Sequence, residues 1–392
     1  MPYYRRIGEV PHKRHVQFRQ SDGTLYAEEG IGIEGFGSDW ALLYHKYLPT
    51  GVISADAVDV EAQPLSPNHP LKNRHIKAHD LKAGGDLLGG RQLLFGNDDV
   101  LLSYVISDEE TPLFRNAIGD ELYYIEEGEG LVETTFGRLE VRSGDYVVMP
   151  VATTQRWLPR GPMRVLVVEA RGGHIGPPAR YLTKRGQFTE ESPYCERDLR
   201  PPDGPLVVEG EGVEVFVKNR NGLTRFVYER HPFDVVGWDG CHYPYTFNVA
   251  DFEPITGRVH QPPPQHQVFE GPNFVVCNFV PRKVDYHPAA IPVPYNHSNV
   301  DSDEVLFYVG GDYAARKGSG IGLGSMSLHP SGVSHGPQPG APEAAIGKEF
   351  ADETAVMVDT FRPLLLGPAA LAVEDTEYAW SWTRRLASEG GD

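Results

Sequence analysis

Tyr295-Asn-His297-Ser-Asn299-Val-Asp-Ser-Asp303-Glu304-Val-Leu-Phe-Tyr-Val309-Gly-Gly-Asp312 and, a little further on, Gly324-Ser-Met-Ser-Leu-His329-Pro330-Ser-Gly332-Val-Ser-His335-Gly-Pro337 decide how this chain folds. Glu304 to Val309 is an apolar run of strand length, and Gly310-Gly-Asp312 turns it back. Gly318 to Gly324 is a second glycine-rich connection, after which Ser325 to Leu328 can return beside the first strand. An antiparallel return brings the ends together, so His297, Glu304 and His335 meet although the histidines are 38 positions apart. Taken singly, each histidine is a better candidate for a structural or surface role. The joint spacing outlines a metal site.

The two stretches resemble the signature motifs of the cupin superfamily, whose small antiparallel barrels turn side chains inward to hold a metal. The second motif meets the Gly-x5-Pro-x-Gly-x2-His spacing at every specified position up to His335, while the Asn expected beyond it is missing. In the first motif Asn299 stands where most metal cupins carry a second histidine. Two histidines and one carboxylate remain, the facial set that suits non-haem Fe(II) and leaves positions open for substrate and oxygen. Zinc is also compatible with these ligands.

Residues Phe114 to Val168 repeat this frame. Asp120-Glu121-Leu-Tyr-Tyr-Ile parallels Asp303-Glu304-Val-Leu-Phe-Tyr, and Gly144-x5-Pro150-x-Ala152-x2-Gln155 parallels Gly324-x5-Pro330-x-Gly332-x2-His335. In register, Phe114 replaces His297, Asn116 matches Asn299, Glu121 matches Glu304 and Gln155 replaces His335. One glutamate without either histidine cannot make a comparable site. The expected fold is therefore mainly β: a bicupin of two antiparallel barrel or jelly-roll-like domains with added N-terminal strands. Residues 1–250 would hold a metal-free barrel, with its core at about 112–172, and 251–392 the barrel with the Fe(II) site.

Composition bounds the function. The 392 residues are 40% hydrophobic, enough for a large core or two domains. Three widely spaced cysteines, Cys195, Cys241 and Cys277, suggest neither a disulfide framework nor a cysteine-zinc site, and a reducing cytoplasm is the expected location. No apolar run reaches the roughly 20 residues of a membrane span, and the start lacks a signal-peptide apolar region. A net charge of −18 argues against nucleic acid or an anionic membrane as partner, and an anionic substrate would need local basic help.

Elsewhere, residues 1 to 60 read as short strands covering a larger body, and the stretch from Glu61 to Gly90, with His69, His75 and His79, reads as an exposed polar loop without assigned function. Arg200 to Gly212 is another exposed loop. Ala355 to Val358 and Tyr378 to Trp382 would close the second barrel, and Arg384 to Asp392 is a polar tail.

Four separated passages resemble the homogentisate 1,2-dioxygenase family. They are Leu25-Tyr-Ala-Glu28 with Leu43-Tyr44 and Leu48-Pro49; Pro232-Phe-x-Val-Val-x-Trp238-x-Gly240; Tyr295-x-His297-x-Asn299 with Glu304; and Gly324 to His329 with His335-Gly-Pro337. The resemblance implies Fe(II) on His297, Glu304 and His335, a general base at His260 with His266 as the alternative, and substrate contacts from Tyr313, His329 and His335. The spacing from His297 is one longer than the family's, so Asp303 competes with Glu304. Glu304 is preferred because it lies nine before Tyr313 and aligns with Glu121. The implied reaction is O2-dependent ring cleavage of homogentisate to 4-maleylacetoacetate, in tyrosine and phenylalanine catabolism, by a homo-oligomer, trimer or hexamer. A gentisate- or hydroquinone-cleaving cupin and a non-catalytic metal-binding bicupin are the competing readings.

Overall fold

Alternation at period two builds the core of the first repeat. Tyr123 and Ile125, Leu139 and Val141, Val147 and Met149, Val165 and Val167 are buried in one cluster with Trp157 and Phe114. Each pair occupies one face of its strand, as a half-buried sheet requires. In the computed structural model, which describes residues 3–383 with the side chains of Pro263 and Ala314 excepted, the fold is mainly β and of the cupin type. The expected tail from Arg384 to Asp392 lies outside the described residues.

The chain forms two compact units. The first takes residues up to 62, 83–91 and 105–251. One of its sheets runs, in spatial order, Gly137–Arg142, Glu129–Thr134, Gln155–Pro159, Phe114–Asn116, Glu211–Asn219, Gly222–Arg230 and Val52–Val58. Another run of strands in this unit is Leu199–Arg200, Tyr245–Asn248, Asp145–Met149, Glu121–Glu127 and Met163–Ala170. The added N-terminal strands Arg5–Gly8, Ala27–Gly32 and Trp40–His45 join Val235–Gly240 in a four-stranded sheet. These sheets are open rather than closed rings of strands.

The second unit takes residues 63–82, 92–104 and those from 252 onward. Its six-stranded antiparallel sheet runs Gln267–Gly271, Phe274–Phe279, Glu353–Thr360, Asp303–Gly311, Ser325–His329 and Arg74–Lys77. Two stretches that the sequence reading assigned to residues 1–250 thus pack with the second unit. One of them corrects the exposed-loop expectation. Arg74–Lys77 is a strand paired with Ser325–His329, and His75 is completely buried with Nε2 2.8 Å from Ser325 Oγ. Polar residues without apolar alternation carry no strand signal; here Arg74 is matched by Glu374 at 2.8 Å, a partner 300 positions away.

The two motifs repeat in their backbone hydrogen bonds. Gly144 N donates to Ile125 O at 2.8 Å and Gly324 N to Tyr308 O at 2.9 Å. Ala152 N donates to Asn116 O and Gly332 N to Asn299 O, both at 2.8 Å, with φ of 68° and 79°. Left-handed backbone at that position explains glycine in the second motif, whereas Ala152 accepts some strain.

Candidate metal centre and its cavity

Glu304 lies on the central strand Asp303–Gly311, beside His329 on one side and Asp359 on the other. His297 and His335 face each other across a two-way bridge, each N–H donating to the other's carbonyl at 2.9 Å. In the first unit Gln155 and Phe114 are antiparallel partners at the matching positions. The fold thus places His297, Glu304 and His335 together, with one ligand atom from each within 4.8 Å of the others.

The second nitrogen of each histidine sets its tautomer. His297 Nδ1 lies 3.0 Å from Tyr295 O and His335 Nδ1 3.2 Å from Val333 O, so each Nδ1 carries the proton and each Nε2 keeps its lone pair. His297 Nε2 is 3.8 Å from Glu304 Oε2, and His335 Nε2 is 3.4 Å from Oε1. The buried His335 Nε2 makes no well-directed hydrogen bond. An orphaned basic nitrogen beside a carboxylate and a second imidazole is the donor set of a metal site, so the residues fit a metal ion. Burial opposes the Glu304 charge, but the hydrogen bond with His329 and the neighbouring imidazoles of His297 and His335 outweigh it and hold the carboxyl well below its ordinary range. The Glu304 carboxylate beside it raises the pKa of His297, against the opposing effect of burial.

Asp303, the competing carboxylate, points elsewhere. Its oxygens accept N–H bonds from Ser331 and Leu364, both at 2.8 Å. Asp120 does the same for Val151 at 2.7 Å and Ile175 at 2.9 Å. The Asp of each Asp-Glu pair pins the Pro-containing loop while the Glu faces inward.

His329 departs from its expected role as a substrate contact. It is fully buried, with Nδ1 2.8 Å from Glu304 Oε1 and Nε2 3.0 Å from Tyr378 Oη. Burial, then the nearby Arg316 charge, push it down to about 3, which keeps it neutral. Both nitrogens are committed, so it buttresses Glu304 from behind. The Tyr313 ring packs edge-on against Tyr308, and neither Tyr313 nor His329 is among the described residues lining the adjoining cavity.

That cavity, about 350 Å³, lies in the second unit. Its floor alternates along the paired strands: Glu304 and Leu306 face Asp359 and Met357. Its wall includes His260, His266, Phe279, Arg282, Tyr295, His297 and Arg316. His260 is half-buried, packs edge-on against Tyr295 and has Nδ1 3.9 Å from Asp285 Oδ2. Burial lowers its pKa, and burial lowers His266 much further, to about 3. Asp359 was not singled out by the sequence: the side chain is half-buried, its enclosed Oδ1 has no partner among the described residues, and desolvation followed by the Glu304 charge raises it well above its ordinary value. The repeat held its signal, because Glu169 occupies the matching position beside Glu121.

The first unit has no equivalent opening among its described residues. Glu121 accepts bonds from Arg91 Nη1 at 2.6 Å, Tyr123 Oη at 2.7 Å, Gln155 Nε2 at 3.1 Å and Asn116 Nδ2 at 3.2 Å. Arg91 also reaches Glu169 at 3.0 Å, so a guanidinium supplies the positive charge there.

A family profile described as "Homogentisate 1,2-dioxygenase N-terminal" matches residues 96–249. A protein named "Putative dioxygenase" from Saccharolobus solfataricus is 39% identical over 388 residues, covering 97% of this chain and 99% of the relative. The homogentisate 1,2-dioxygenase of Emericella nidulans is 29% identical over 338 residues, covering 78% of this chain and 74% of the relative. The chain belongs to the homogentisate 1,2-dioxygenase family. Another member, from Bradyrhizobium diazoefficiens, is 30% identical over 246 residues, with 60% of this chain and 53% of the relative covered. Membership makes this chain's fold that of a dioxygenase, and its triad can hold the metal that such chemistry needs. No helix among the described residues is long and apolar enough to cross a membrane.

Proposed function

We propose that the chain is an Fe(II)-dependent homogentisate 1,2-dioxygenase, which opens the ring of 2,5-dihydroxyphenylacetate with O2 to give 4-maleylacetoacetate. One observation carries the reading: two histidines with free Nε2 lone pairs and one carboxylate converge on a cavity of one-ring size. At about 350 Å³ it sits near the small end of ligand pockets, ~300–1,000 Å³. Fe(II) bound by His297, Glu304 and His335 would supply the electron exchange that lets O2 react with a closed-shell ring. His329, held by Tyr378, fixes the Glu304 carboxylate for that duty.

A phenol has an ordinary pKa near 10 and coordinates better as phenolate, so a neutral base beside it helps. His260 lines the cavity, and burial lowers its pKa, which favours the neutral imidazole that a general base needs. His266, at about 3, is too weakly basic to compete as a general base near neutrality. Phe279, Leu306 and Met357 give the ring an apolar seat. Tyr313 remains a candidate substrate contact through the family resemblance. The homo-oligomeric state and cytoplasmic location carry over as part of this proposal.

The second reading is a related ring-cleaving cupin acting on gentisate or hydroquinone, left open by the relative from Saccharolobus solfataricus, whose name specifies no substrate. Oxygen uptake by Fe(II)-loaded protein with homogentisate, gentisate and hydroquinone separates the readings. Uptake with homogentisate alone is expected, and His260→Gln should retain iron while turnover falls by roughly 10²- to 10⁴-fold. Normal turnover in His260→Gln with strong impairment in His266→Gln would move the base.

A further inference from the structure

Arg316 is a buried charge with no carboxylate at ion-pair distance among the described residues. A guanidinium does not lose its proton in a protein, so its burial needs hydrogen bonds and a counter-ion. The other buried arginines named here have them: Arg74 meets Glu374 at 2.8 Å, and Arg91 meets Glu121 at 2.6 Å and Glu169 at 3.0 Å. Arg316 has neutral partners. Its Nε donates to Tyr308 Oη at 3.0 Å and its Nη1 to Gly336 O at 2.6 Å, and Nη2 has no hydrogen bond among the described residues. No described carboxylate lies within ion-pair distance of it. Glu304 acts on it only at longer range and is already committed to three histidines.

The position of this charge gives it a use. Arg316 and Gly336 both line the cavity, and Gly336 directly follows the ligand His335. The same cavity is lined by Lys283, which has no carboxylate partner among the described residues, and by Arg282, which has Glu353 at 2.7 Å. Against them stand Glu304, Asp285 near His260, and Asp359, the last disfavoured as an anion by its burial. In a chain of net charge −18, three cationic side chains share this wall with three carboxylates, and a bound metal cation would tip the balance toward positive charge. A planar guanidinium is the group best matched to a carboxylate.

We infer that Arg316 is the anchor for a carboxylate on the substrate, so that the cavity selects one-ring aromatic acids over neutral hydroquinones. The inference deepens the proposed function and rests on its placing of substrate in this cavity. The opposing reading is a brace, in which Arg316 serves only to hold Gly336 O and Tyr308 Oη. A brace would be indifferent to substrate charge, and an anchor is not.

The test uses full-length protein loaded with Zn(II), which binds without turnover. Calorimetry compares 2,5-dihydroxyphenylacetate with its methyl ester, a pair differing at the carboxylate. The acid should bind roughly 10- to 100-fold more tightly, the usual worth of a charge-assisted hydrogen bond. Arg316→Gln, which keeps a donor for the brace, should bring the ratio near one, while Arg316→Lys should keep part of it. If Arg316→Gln does not fold, the wild-type ratio and Arg316→Lys still decide. Equal binding of acid and ester by wild type, no binding of the acid, or an unchanged ratio in either Arg316 variant overturns the anchor. Loss of the ratio in Lys283→Gln with an intact ratio in Arg316→Gln overturns it in favour of Lys283. Selective acid binding through Arg316 without cleavage of homogentisate keeps the anchor and rejects the proposed function. Oxygen-dependent cleavage of acid and ester at equal kcat/KM does the reverse.

Discussion

Asp303 and Glu304 are adjacent carboxylates with different work, because successive side chains on a strand face opposite ways. Glu304 joins His297 and His335, whereas Asp303 accepts two backbone N–H groups. Glu304→Gln should therefore lose metal binding with the fold retained. Asp303→Asn should keep the metal but lose stability, by about 1–3 kcal/mol if one buried N–H is left without its acceptor. Metal content after dialysis and the urea midpoint separate the two effects; metal loss in Asp303→Asn with retention in Glu304→Gln would reverse the assignment. The triad was legible in sequence because each member sits at a fixed offset from glycines and a proline. His329 was legible as a site residue but not as a buttress, since only the structure shows Tyr378, 49 positions on, behind it. Asp359 and Arg316 carry no motif, and their significance comes from burial and missing partners.

At the scale of elements, the repeat explains how one frame serves two purposes. The glycine that opens the second motif, its proline and the Asp that pins it persist in both halves, so the frame was visible without structure. What fills the silent half was not. Arg91 lies 30 positions before Glu121 and 78 before Glu169, and nothing local links them. The Arg74–Lys77 strand was hidden for the same reason, its stability coming from distant partners rather than from apolar alternation. Removing one partner of a buried ion pair leaves an uncompensated charge, at a cost of about 3–5 kcal/mol. Arg91→Met should be destabilised on that scale, yet still bind one metal per chain, because neither Phe114 nor Gln155 can replace a histidine ligand. Two metals per wild-type chain would end the idea of a silent first repeat.

For the whole molecule, buried histidines of opposite behaviour should confine stability to a middle pH range. Burial opposes a charge on His45, but hydrogen bonds with Asp234 at 2.6 Å and Glu29 at 3.0 Å outweigh it and raise the imidazole to about 9. Between an unfolded pKa of roughly 6.5 and this value the folded state holds the extra proton. The stabilisation is complete below the unfolded pKa and is lost as pH rises through about 9. His242, at about 4, and His266, at about 3, are depressed by burial without a compensating hydrogen bond at the buried His242 Nε2 or His266 Nδ1. There the unfolded state binds the extra proton, so stability is complete above roughly 6.5 and falls as pH drops toward the folded values. The alkaline limb can be isolated. A shift of this size in a mostly buried group is worth on the order of 3 kcal/mol. His45→Gln should therefore be less stable than wild type at pH 6 and approach it by pH 10, as followed by urea unfolding at each pH. A wild-type advantage that is constant from pH 6 to 10 would show that His45 contributes packing alone, and that its ion pair with Asp234 adds nothing to the fold.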